Sequence, residues 1–114
     1  MADFLGKNIA SLQRLVTFAQ SGGVSFVTLA ANLTMTLKSP HLQFIDPADA
    51  RDVTLPATNG QGCIWVIVNT ADAAETITVK DPAGNTVKTI AQNAAGLFGT
   101  DGTTYDGVSF TIAL

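Results

Sequence analysis

Residues 62–91 read GCIWVIVNTADAAETITVKDPAGNTVKTIA, and this stretch decides the fold. Over 62–69 the chain is apolar on both sides, with Ile64, Val66 and Val68 on one face and Cys63, Trp65 and Ile67 on the other. That is the pattern of a central strand covered on both faces. Residues 75–80 then alternate through Ile77 and Val79, and residues 86–91 follow after DPAGN. Pro82, Gly84 and Asn85 supply the fixed and positive φ values of a tight connection, so a hairpin is expected here.

Outward from this core the chain keeps the same rhythm. Leu33, Met35 and Leu37 alternate with Thr34, Thr36 and Lys38, predicting a half-buried strand that Pro40 ends. Residues 41–45 and 52–55 predict two further strands, separated by DPADAR, which Pro47 and Asp49 mark as a loop or a single helical turn. Downstream, Asp101-Gly102 is a second turn signal, and Val108, Phe110 and Ile112 alternate with Ser109, Thr111 and Ala113 in a C-terminal strand. Close-spaced strands of this kind predict a mainly β fold, an antiparallel β-sandwich or a partly open barrel.

The first 20 residues have a different period. Leu5, Ile9, Leu12, Val16 and Ala19 recur at spacings of four and three, which predicts a helix capped by Asp3 and ended by Gly22-Gly23. The same spacing fits a coiled-coil seam, but two heptads are too few to establish one, and packing on the domain or on a neighbour is the preferred reading. Val16, Thr17 and Phe18 also allow a strand over 15–18. The expected organisation is an N-terminal helix or arm over 1–23 and a β-domain over 24–114.

At 114 residues the chain is expected to form a domain small enough to gain from a partner subunit. Its residues are 46% hydrophobic and 13% charged, about half the usual charged share, so its polar surface is largely Thr, Ser, Asn, Gln and Gly. The net charge of -3 and the lack of any Lys/Arg run speak against nucleic acid, because neutralising phosphates takes clustered cations. The longest apolar run, 63–68, falls far short of the ~18 residues of a membrane span. The N-terminus lacks the continuous apolar core of a secretory signal, so synthesis in a cytoplasm is expected.

No residue set predicts catalysis. Cys63 lies in an apolar strand, where a thiol is an inert packing group, and it would be the only partner available to His41, the single histidine. Glu75 is the only glutamate, and most aspartates sit in turns, so paired carboxylates are not expected. Asp46, Asp49 and Asp52 could offer oxygens to a hard cation but lack the ligand spacing of a calcium loop. Arg51 sits among them as a counter-charge, and a solvated or subunit-facing loop is the preferred reading; neither a metal nor a cofactor is expected. Phe26, Phe44, Phe98 and Phe110 read as core, and Trp65 as core or subunit interface. Tyr105, in the DGTTYDGV turn, is the aromatic candidate for surface contact.

Three segments carry a resemblance: DVTLPA at 52–57, VIVNTADAAETITVKDPAGNTV at 66–87 and GTDGTTYDGV at 99–108. Together they resemble the small β-domains of bacteriophage virion proteins, particularly capsid decoration proteins and head or tail fibres. Those proteins commonly carry a TLP-containing strand, a strand with an Asn turn, and a late D-G-T-x-W segment; Tyr105 stands here where the aromatic, often Trp, is expected. The resemblance implies a non-enzymatic structural protein that forms a symmetric oligomer, a trimer, on the virion exterior. It further implies a capsid decoration (cement) protein bound to the major capsid protein, with Leu5, Ile9, Leu12 and Val16 as capsid or oligomer contacts. A fibre module for host-surface or carbohydrate binding is the alternative.

Overall fold

The computed structural model describes residues 23–112. The expected N-terminal helix and its stripe of Leu5, Ile9, Leu12 and Val16 lie outside the described residues. Nine strands are present within them: β1 (Val24–Thr28), β2 (Leu33–Thr34), β3 (Leu42–Asp46), β4 (Arg51–Thr54), β5 (Cys63–Asn69), β6 (Ile77–Lys80), β7 (Thr86–Ile90), β8 (Ala94–Thr100) and β9 (Tyr105–Thr111). They form a five-stranded sheet in the order β1-β3-β5-β8-β9 and a four-stranded sheet in the order β2-β4-β6-β7. No described helix is long and apolar enough to cross a membrane.

The mainly β expectation holds, and the antiparallel one is corrected. Successive strands from β1 to β6 alternate between the sheets, so the chain winds in three coils and each strand lies beside its counterpart in the next coil. The pairs β1–β3, β3–β5, β2–β4 and β4–β6 are all parallel, with Val24 beside Leu42 and Leu42 beside Val66. The turns at Pro40 and at Asp46-Pro47 carry the chain across to the other sheet instead of folding it back beside itself. Only the last strands pair antiparallel: β6 with β7, β5 with β8 and β8 with β9. The hairpin expected at DPAGN and the turn expected at Asp101-Gly102 make two of these pairs. In the first, Asp81 Oδ1 accepts the amides of Ala83 and Asn85 while Gly84 takes φ 92°. Both sheets are therefore mixed, and neither closes on itself.

A single core cluster takes residues from both sheets. Ile45, Trp65, Ile67 and Phe98 of the five-stranded sheet and Val53, Ile77, Val79 and Ile90 of the other are fully buried. Phe98 fits because its register partner is Gly107 and its same-face neighbour is Gly96; a Cβ at either would lie under 3 Å from its ring. The buried Asn69 fixes the end of β5. Its Nδ2 donates to the carbonyls of Glu75 and Ile90, and its Oδ1 accepts the Ala71 amide. A buried amide so satisfied ties the two sheets together without an orphaned polar group.

Three sequence expectations about burial need correction. Strand β5 is covered fully on one face and in part on the other: Trp65 and Ile67 are buried, and on the opposite face Val68 is buried, Val66 half-buried and Ile64 61% exposed. Phe26 and Phe110 are not core, being 78% and 53% exposed, while Phe98 is core and Phe44 is half-buried. The strand expected through Leu37 stops at Thr34; Met35 still enters the core, then Thr36 and Ser39 close a turn that leaves Leu37 exposed.

Candidate functional site: an aromatic cluster, an acidic cluster and an apolar sheet face

Strands β3, β5 and β9 gather the aromatic and sulfur side chains singled out in the sequence. The His41 ring stacks on Trp65, with centroids 4.1 Å apart and planes 12° from parallel. Trp65 Nε1 donates to the Tyr105 hydroxyl at 3.2 Å, which donates in turn to the Pro56 carbonyl at 2.8 Å. Tyr105 is half-buried, and burial raises its phenol pKa. The chain of bonds uses both functions of the hydroxyl to hold β9 and the segment after β4 against β5.

Cys63 Sγ lies 3.6 Å from His41 Nδ1, a contact the sequence spacing did not suggest. The same nitrogen is 2.7 Å from the Ile64 carbonyl, and a carbonyl can only accept, so Nδ1 carries the proton there. It cannot at once serve as the base for the thiol. Burial moreover raises the Cys63 pKa, the opposite of an activated nucleophile.

The aspartates expected around DPADAR separate. Asp46 meets Asp72 and Glu75, with carboxylate oxygens of all three within 4.8 Å of one another, while Asp49 and Asp52 are not part of the group. Asp52 instead pairs with Lys80 at 3.0 Å, and Arg51 Nε donates to the Pro47 carbonyl. Desolvation, followed by the charges of Asp46, Asp72 and Asp49, raises the Glu75 pKa. Such a cluster has the donor type for a hard cation, but Asp46 Oδ1 already accepts the Ala48 amide as an ordinary turn.

The outer face of the five-stranded sheet carries most of the exposed large hydrophobic side chains among the described residues, Phe26, Ile64, Leu97, Val108 and Phe110, while Val68 and Ala95 on the same face are buried. Strand register lines up one row as Val24, Leu42, Val66, Leu97 and Val108. The next row is Phe26, Phe44, Val68, Ala95 and Phe110, in which Phe26 and Phe44 stack at 4.6 Å. Both rows are apolar across all five strands. Beside them Ile64 pairs with Gly99 and Gly99 with Asp106, and the missing side chain at Gly99 opens a trough of about 680 Å³ walled by Ile64, Leu97 and Val108. The outer face of the four-stranded sheet is the opposite, carrying Asp52, Thr54, Thr78, Thr89 and Lys80. Sequence alternation had revealed which residues of β9 share a face, but not that this face looks outward.

A second, more polar cleft of about 510 Å³ lies among the loops, lined by Thr58, Asn59, Asp81, Thr103, Thr104 and Tyr105 among others. Tyr105 thus stands between core and cleft. Compared with protein-family models, with curated proteins and with solved structures, the chain matches none.

Proposed function

We propose that this chain is a bacteriophage structural protein without enzymatic activity, a capsid decoration (cement) protein bound over the major capsid protein lattice on the virion exterior. The observation that carries the reading is the pair of uncharged apolar rows on the outer face of the five-stranded sheet, five strands wide, beside a polar face on the other sheet. Monomers rarely leave apolar patches of more than a few hundred Å² to water, and larger ones mark interaction sites. A component that works inside an assembly has reason to carry one.

The resemblance of residues 52–57, 66–87 and 99–108 to phage β-domains supplies the kind of assembly, and we infer a trimeric state from it. The buried cluster drawn from both sheets supports a sandwich over an open barrel. Cement proteins strengthen a lattice by binding only its assembled form, which stabilises it by mass action. The test is to add the purified protein to empty heads of its phage. Saturable binding with a higher rupture temperature is expected, and no binding at micromolar protein would reject the reading.

The loop cleft beside Tyr105 favours a second reading, a head or tail fibre module for host-surface or carbohydrate binding. An aromatic edge among hydroxyl and amide groups suits a sugar. Binding of the protein to glycans or host cells, without binding to heads, would select this alternative.

A further inference from the structure

We propose that the outer face of the five-stranded sheet is an interface between copies of this chain, its two apolar rows packed against the same face of the neighbouring copies around the symmetry axis. The inference rests on reading the chain as a component of an assembly, and it names what covers the face.

Three observations carry it. The first is charge. The protein is net negative, so copies repel unless they meet through a surface free of like charges. The rows from Val24 to Val108 and from Phe26 to Phe110 contain no charged residue; the acids of this face, Asp106 beside Gly99 and Asp46 beside Thr28, lie beyond them. The second is area. Half-exposed side chains of the size of Phe26, Ile64, Leu97, Val108 and Phe110 leave on the order of 600 Å² of apolar surface, near the ~800 Å² per partner of a stable interface.

The third is the treatment of the edges. Folded proteins blunt free sheet edges with charge, proline or shortness. The four-stranded sheet does so, since β2 has two residues and β7 carries Lys88. The five-stranded sheet does so less: β1 has no charged residue or proline, and β9 is the longer edge, seven residues with the one charge of Asp106. Among the described residues the exposed apolar rows and the uncharged β1 edge thus belong to one sheet, as suits a sheet that meets other copies in a symmetric contact.

Light scattering on the full chain at tens of micromolar tests this. A mass that is a whole multiple of 11.8 kDa, greater than one, is expected. Gly99→Glu combined with Val108→Glu should give a monomer with unchanged far-ultraviolet circular dichroism. Gly99→Glu alone, at a position where an added Cβ meets nothing within 4 Å, should weaken association at least tenfold without disturbing the fold. Leu37→Glu, equally exposed but outside the two rows, should leave the mass unchanged. A monomeric wild type, or an oligomer that survives both face variants, overturns the proposal, and the face is then covered by another segment or another protein. A monomer that still decorates heads defeats this inference alone, whereas an oligomer that ignores them defeats the decoration reading alone.

Discussion

Asn69 is the residue on which the two sheets depend most. Replacing it with Ala removes two donors from buried carbonyls and one acceptor from an amide, and unpaired buried groups cost about 1–3 kcal/mol each. Chemical denaturation of Asn69→Ala should show a loss of about 3 kcal/mol with an unchanged denaturant slope. Gly102 is constrained differently: its φ is 101°, and a Cβ would lie 2.3 Å from the Gly60 carbonyl carbon. Gly102→Ala should therefore destabilise by more than ~1 kcal/mol, although its loop is at the surface. Asp81 and Asp101 accept backbone amides in their turns, which holds both carboxyls below the usual carboxylate range. A depressed folded-state pKa gives stability that is present above the unfolded pKa and lost as pH falls through the folded one. Glu75, with its pKa raised, has the opposite sign. The Asp81→Asn, Asp101→Asn double variant keeps acceptors without the titration, so its melting temperature should fall less than that of the wild type between about pH 5 and pH 2.

Strand β5 shows how far single elements were legible. Its boundaries, its central place and the hairpin after β6 follow from apolar runs and turn residues. The pairing does not, because a parallel neighbour and an antiparallel one demand the same alternation. What distinguishes them is where each turn sends the chain, and Pro47 or Pro56 marks a turn without giving its direction. Covering is equally silent: Ile64 and Trp65 are adjacent apolar residues, yet only Trp65 is buried. The stack of His41 on Trp65 and the approach of Cys63 to His41 depend on the parallel placement of β3 beside β5, so neither had a signal in the spacing. The two faces of β5 give a direct check. Ile67→Asp should abolish cooperative unfolding, since a lone buried charge costs several kcal/mol, whereas Ile64→Asp should remain soluble and folded. Near-ultraviolet circular dichroism of Trp65 would report both outcomes.

Across the whole molecule, one sheet turns a polar face outward and the other an apolar face on which Phe26, Ile64, Leu97, Val108 and Phe110 are exposed. The winding of three coils creates this asymmetry by giving each coil one strand in each sheet, while the sequence makes only the second set polar outside. An assembled structural protein, on a phage head in our proposal, is the account that uses the apolar face. Its most direct test is cosedimentation of the purified full-length protein with empty heads of its phage. The account predicts saturable binding, in a fixed ratio to capsid subunits, that raises the temperature of head rupture. Protein that stays in the supernatant at every concentration, with the rupture temperature unmoved, would contradict it.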